Sequence, residues 1–117
     1  MIDDFDGYDA LLLVAFGGPE SIDDVAPFLA RVTAGRPIPP ERLAQVADRY
    51  RSVGGRSPLN ARLRTLQATV AEQLVDRGVN TPVFWGNRNA APLLVDTIAE
   101  MRDAGVRRAV AWVASPY

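Results

Sequence analysis

The stretch that most limits what this chain can fold into is residues 8–16, YDALLLVAF, which runs into Gly17, Gly18 and Pro19. It is too short for a stable helix, and its unbroken apolarity suits a strand covered on both faces. Such a strand demands a sheet around it and helices above and below. The rest of the sequence offers both. Residues 81–86 (TPVFWG) predict a second strand, with Pro82 at its beginning, where a missing N–H does least harm. Residues 108–115 (RAVAWVAS) predict a third.

Amphipathic segments separate these strands. Ser21 followed by Asp24 is a capping-box-like start. Ile22, Val25, Phe28, Leu29 and Val32 then recur at helical spacing toward an end near Gly35, with Pro27 expected to bend the helix. Pro37, Pro39 and Pro40 form a stiff connection to a second helix from about Glu41, with Leu43, Val46, Ala47 and Tyr50 on one face. Gly54 and Gly55 break it. Ser57-Pro58 opens a third helix, Ser as N-cap and Pro at the first helical position. Leu59, Leu63, Leu66, Val70 and Leu74 are its expected buried stripe, and Gly78 its end. Asn89 is expected to cap a fourth helix that contains Leu94, Ile98 and Met101 and stops at Gly105.

The order strand, three helices, strand, helix, strand predicts an α/β fold, a parallel sheet flanked by helices with right-handed crossovers. No internal repeat and no second domain is visible. Because the chain ends directly after a strand, a bare edge and a partly bare face are expected, the pattern of an incomplete domain.

Composition narrows the chemistry. With 117 residues, 48% hydrophobic and 23% charged, the chain has the balance of a folded domain rather than a disordered or repetitive one. Its longest apolar run is too short to cross a bilayer. Residues 1–6 are acidic, where a signal or transit peptide begins with positive charge, so a cytoplasmic location is expected. A net charge of −1 draws the chain neither to nucleic acid nor to an anionic membrane. There is no cysteine, which excludes disulfides, thiolate zinc sites and a Cys nucleophile. There is no histidine either, which removes the usual general base and the commonest metal ligand. Asp23 and Asp24 are not read as a metal pair, because at a helix start the macrodipole explains them. No catalytic residue and no metal ligand is assigned within the chain.

In open α/β sheets, ligands bind beyond the carboxyl ends of the strands. Three segments fall there: Phe16-Gly17-Gly18-Pro19, Gly86-Asn87-Arg88-Asn89 and Ser115-Pro116-Tyr117. Their glycine, aromatic and polar residues suit a wall for a flat, partly apolar ligand with charged margins. Gly17 and Gly18 permit close backbone approach. The plainer alternative is a turn between strand and helix. A dinucleotide fingerprint is ruled out, since no G-x-G-x-x-G is present. At residues 54–58 (GGRSP), the N–H groups of a helix start, the Ser57 hydroxyl and Arg56 could receive a carboxylate or phosphate. The alternative there is a capped helix with a solvated arginine. Arg49 lies beside the Leu43/Val46/Tyr50 stripe, as solvated arginines often do. Arg88, between two asparagines after a strand, is less typical of a bland surface. Trp85 and Trp112 read as core, since both fall inside predicted strands.

Residues 13–20 (LVAFGGPE), 32–36 (VTAGR), Arg49-Tyr50 with 54–60 (GGRSPLN), and 86–89 (GNRN), in that order, resemble the ferrochelatase family. Any one of these motifs is weak, but four in register are specific. The resemblance runs from about Tyr8 to the last residue and points to the actinobacterial branch, whose members are similar to coproporphyrin ferrochelatases. It implies a chelatase-like Rossmann-type domain, the first of two similar α/β halves with a porphyrin cleft between them. Residues 1–117 would form most of that first half, the second being absent.

The activity implied is that of a lyase of haem biosynthesis, inserting Fe(II) into coproporphyrin III or protoporphyrin IX. Porphyrin and ferrous iron are then the partners, no covalently bound cofactor is implied, and the intact protein is expected to be a monomer. An iron–sulfur cluster in the intact protein would take its cysteines from outside this chain. By resemblance, Phe16, Gly17 and Gly18 line the cleft. Phe16 stands where some relatives carry a metal-ligating Tyr, a role that Phe cannot take. Arg49 and Ser57 match positions that contact porphyrin carboxylates or border the cleft, and Arg88 matches a basic position near a proposed metal-entry route.

Two departures bear on chemistry. The chain has Ala90-Ala91-Pro92 where the family typically carries a bulky residue and then His or Glu before the proline. The family's central His, in a Ser-Ala-His motif, and its partner Glu belong to the other half. Metal insertion needs a base for two pyrrole protons and a bent ring. This chain offers the grip without the base. Alone, it is expected to bind porphyrin weakly and to lack useful chelatase activity. The competing reading is a catalytically inactive porphyrin-binding or degenerate structural module. A small homodimeric chelatase is disfavoured by the missing histidines.

Overall fold

The unbroken apolar run becomes the central strand of a parallel sheet. In a computed structural model of the chain, which describes residues 7–114, β1 (Ala10–Ala15) lies between β2 (Val83–Asn87) and β3 (Ala109–Val113). Leu11, Leu12 and Leu13 pair with Val83, Phe84 and Trp85 on one side, and with Val110, Ala111 and Trp112 on the other. Strand alternation sends neighbouring side chains to opposite faces. Leu13, Ala15 and Trp85 meet Leu59, Leu63 and Leu66 of α3 (Leu59–Asp76). On the other face, Leu12, Phe84 and Val14 meet Leu94 and Met101 of α4 (Leu94–Asp103). Both faces of β1 are therefore covered, as its sequence requires.

Two further helices, α1 (Ile22–Val32) and α2 (Pro40–Ser52), pack together through Val25, Phe28, Leu29 and Ala47. Phe16 and Ala90 join this cluster from the strand ends. Pro27 lies inside α1, where it removes one backbone donor from the helix. Among the described residues, no helix is long and apolar enough to cross a membrane.

Several local expectations change. The Ser21 side chain makes no capping bond; instead Asp24 Oδ2 accepts from the Glu20 N–H (3.1 Å), one residue earlier than a capping box would place it. The third helix is hydrogen-bonded from Leu59, one residue later than expected, yet Pro58 is already in the αR region and the Ser57 hydroxyl accepts from the Leu59 N–H (3.2 Å). The cap is real. β2 extends to Asn87, which is fully buried rather than part of a loop.

Asn89 does not cap α4, whose first residue is Leu94. Its backbone N–H (3.0 Å) and Nδ2 (3.3 Å) both donate to the Phe16 carbonyl, so it ties two loops together. The buried face of α4 is Leu94, Thr97 and Met101, while Ile98 is half exposed. Thr97 takes the inward position beside Gly86, its hydroxyl donating to the Trp85 carbonyl (2.9 Å), and Ile98 lies on the flank. Trp112 is 47% exposed, contrary to its reading as core. It sits on an edge strand, beyond the reach of α3, which lies over β1 and β2. Residues 1–6, the expected end of the third strand at Ser115, and the rim segment Ser115-Pro116-Tyr117 lie outside the described residues.

Candidate functional site

The rim begins where β1 ends. Gly17 has φ +89°, a conformation that side-chain-bearing residues avoid, and a Cβ there would lie 2.7 Å from Asn87 Cβ. A Cβ on Gly18 would lie 2.8 Å from the Ser57 side chain. The glycine loop thus presses against the end of β2 on one side and the start of α3 on the other. The Ser57 N–H donates to the Pro19 carbonyl (2.9 Å) and locks the second contact.

Beneath the loop lies a buried polar network that the sequence reading did not assign. Asn60, in the first turn of α3, is 1% exposed, and Asn87 is 0% exposed. Asn60 Oδ1 accepts from the Gly18 N–H (3.3 Å) and from Asn87 Nδ2 (3.0 Å). Asn60 Nδ2 donates to Glu20 Oε2 (2.9 Å) and to the Ala91 carbonyl (3.0 Å). Trp85 Nε1 donates to Asn87 Oδ1 (2.9 Å). Arg64 also donates to Glu20 Oε2. The Arg64 hydrogen bond first, and the Asn60 one second, hold the Glu20 carboxyl below its usual range. One signal in the sequence pointed to this node: Asn60 stands one turn before Leu63, on the face of α3 that turns inward, and a buried amide must find partners.

The six residues expected to form a binding site fall into two groups. Gly17, Gly18 and Ser57 are packed together, and Arg49 lines an open groove with Ser57, Tyr50, Val53 and Arg56; its volume is about 410 Å³. Phe16 and Arg88 form the second group, the guanidinium lying 5.6 Å from the ring centroid. A series of edge-to-face rings links the two: Phe16 to Phe28 (6.2 Å) and Phe28 to Tyr50 (5.7 Å). Arg49 and Arg56 are exposed beside the first turn of α3, so the groove joins cationic side chains to a helix N-terminus. That combination suits carboxylates. Ala90, at the departure from the family pattern, is buried against the glycine loop and borders a smaller cavity of about 200 Å³. Among the described residues, no group of three or more His, Cys, Asp or Glu side chains could hold a metal ion.

The model of the ferrochelatase family matches residues 8–117, nearly the whole chain. The chain belongs to the ferrochelatase family. Relatives include the coproporphyrin III ferrochelatases of Frankia alni, 57% identical over 93% of this chain and 27% of the relative, and of Mycobacteroides abscessus, 51% identical over 94% and 32%. That of Streptomyces griseus is 51% identical over 94% of this chain and 29% of its own length. This ferrochelatase-family chain therefore spans about a third or less of the curated relatives it matches. Its parallel α/β sheet agrees with the fold that the motifs implied.

Proposed function

We propose that this ferrochelatase-family chain serves the insertion of Fe(II) into a porphyrin in haem biosynthesis, as the part that grips the ring. The observation that carries the reading is the meeting of a glycine loop, an aromatic ring and a cationic groove at the strand ends. A porphyrin is flat and apolar in its middle and anionic at its margin. The half-buried Phe16 ring offers the apolar contact, and Gly17 and Gly18, themselves buried against Asn87 and Ser57, let the loop behind it pack closely. Arg49, Arg56 and the start of α3 offer the anionic one. The Ser57 oxygen already accepts from the Leu59 N–H, which leaves its hydroxyl hydrogen to donate to a carboxylate. Arg88, exposed over Phe16, supplies positive charge on the other side of the ring series. The favoured ligand is coproporphyrin III, the substrate for which the relatives are named.

Gripping at two margins can also bend the ring, which turns its nitrogen lone pairs toward an incoming metal. The two pyrrole protons need an acceptor. This chain has no histidine, and Glu20 is committed to Arg64 and Asn60, so the acceptor belongs to another part of the protein. Residues 1–117 are read as part of the first of two α/β halves, in an intact protein that is cytoplasmic and monomeric.

Titration of the chain with coproporphyrin III, followed by Soret absorbance, tests this. Binding is expected, with Arg49→Ala weakening it roughly fivefold, the loss of an exposed charge contact of about 1 kcal/mol. The uncharged tetramethyl ester should bind less well than the free acid. Equal binding of acid and ester, or no binding at all, contradicts the gripping role. A normal rate of iron insertion by the chain alone contradicts the assignment of the base elsewhere.

A further inference from the structure

We infer that Asn60 is a positioning residue of the porphyrin-gripping rim: it fixes the loop after β1 and the loop after β2 against α3, and so sets ring affinity without touching the ring. The inference rests on the gripping role proposed above. At 1% exposure Asn60 has almost no surface to offer a ligand, although it borders the cavity of about 200 Å³ beside Ala90. Its amide nevertheless makes four hydrogen bonds, to Gly18, Glu20, Asn87 and Ala91. Those partners come from three places: the glycine loop, the end of β2 and the loop that follows it. Gly17 and Gly18 ride on the first, and Arg88 follows directly from the second. One short side chain therefore determines how far apart the two walls stand.

The orientation of the amides is fixed by chemistry. The Trp85 indole N–H can only donate, so the Asn87 oxygen must face it. The Asn87 NH₂ then faces the Asn60 oxygen, and the Asn60 NH₂ must face Glu20 and the Ala91 carbonyl. The Gly18 N–H, also a pure donor, demands the same Asn60 orientation from a different direction. The circuit closes through Arg64, which donates to Glu20 and whose guanidinium lies 5.7 Å over the Trp85 ring. Only a side-chain amide gives two donors and an acceptor in so little space. An aspartate would turn an oxygen toward the Glu20 carboxylate and the Ala91 carbonyl, and no donor would remain.

The test is coproporphyrin III titration of the full chain, at a temperature where circular dichroism shows each variant folded. Asn60→Ala is expected to raise Kd roughly tenfold, because the walls lose their common tie and buried partners are left unpaired. Leu74→Ala, a partly buried position far along α3 from the rim, serves as a control for destabilisation of the same helix and is expected to leave Kd within about twofold. In the N60D background, adding Glu20→Gln returns one donor to the broken pair and should recover part of the lost affinity. In the unsubstituted protein, E20Q should weaken binding or leave it unchanged. A structural role without positioning would lower the melting temperature of N60A and L74A alike and move Kd in neither or in both equally; that outcome overturns the inference.

Should N60A not fold, the unsubstituted chain still decides. The Asn60 side-chain amide and the Gly18 N–H should exchange slowly with solvent, and more slowly with coproporphyrin III bound. Fast exchange of both, or no change on binding, overturns the inference. Failure of the unsubstituted chain to bind coproporphyrin III at all overturns the gripping role itself. Binding that survives every substitution at Asn60 overturns only the positioning role.

Discussion

The two sides of the sheet carry one tryptophan each, at the same register opposite Leu13 and on the same face. Trp85, on β2, is 7% exposed; Trp112, on β3, is 47% exposed. Residue type, strand position and facing are shared, so none of them sets the difference. The layer above decides it. α3 covers β2 and β1, and Arg64 lies over Trp85 while Asn87 takes its indole N–H. The β3 side has no such cover among the described residues. On the β2 side, packing and hydrogen bonds converge on the rim, and there the candidate site lies.

The largest expected effect separates the tryptophans themselves. Trp85→Ala should cost roughly 3–5 kcal/mol, through a buried cavity and an Asn87 oxygen left without its donor. Trp112→Ala should cost less than about 1 kcal/mol, as for other half-exposed positions. Urea denaturation of both variants checks this, and equal losses would break the comparison.

Glycine substitutions sharpen it. Gly17→Ala combines about 1 kcal/mol or more of left-handed strain with overpacking of about 1–3 kcal/mol against Asn87 and Ala90. Gly105→Ala, in the turn leading to β3, has φ +86° but nothing within 4 Å of the new Cβ, so only the strain of about 1 kcal/mol should appear. On α4, Thr97→Val removes the bond to the Trp85 carbonyl and should cost about 1 kcal/mol. Ile98→Ala on the outer flank should change stability by about 0.5 kcal/mol or less. Thermal melts would distinguish these pairs.

The smallest effect is a pH dependence. The Glu20 carboxyl is held below its usual range in the folded state, by Arg64 and then Asn60. Its stabilising contribution is therefore complete above the ordinary glutamate range and is lost as pH falls through the lower folded value. Glu20 is partly exposed, so solvent screens the pair and the effect is modest. Glu20→Gln should flatten the acid limb of the melting-temperature profile. An unchanged acid limb would show that the carboxylate contributes nothing to the rim.

Much of this architecture was legible in the sequence, for physical reasons. An apolar run too short for a helix suits a strand buried on both faces, and β1 is one. The Ser57-Pro58 cap and the glycine loop depend on local conformation, and local conformation is what nearby residues encode. What failed was nonlocal. Nothing within residues 108–115 says that α3 does not reach their strand, so Trp112 looked like core. Asn89 resembled a cap because its partner, the Phe16 carbonyl, is supplied by a distant strand end. Asn60 lay inside a recognised motif, but its role depends on Gly18 and Asn87, which are 42 and 27 residues away. The placement of the Arg88 guanidinium over Phe16 was likewise beyond any local pattern.

The most direct test of the account is a two-dimensional ¹H–¹⁵N spectrum of the chain recorded during addition of coproporphyrin III. Porphyrin held at the rim should shift the backbone amides of Phe16, Gly17, Gly18, Ser57 and Arg88, and the Trp85 indole N–H through its bond to Asn87. The Gly35, Gly78 and Gly105 amides should stay in place. Shifts confined to the Trp112 indole and the β3 edge would contradict the account, because the ligand would then be using the uncovered side of the sheet instead of the built rim.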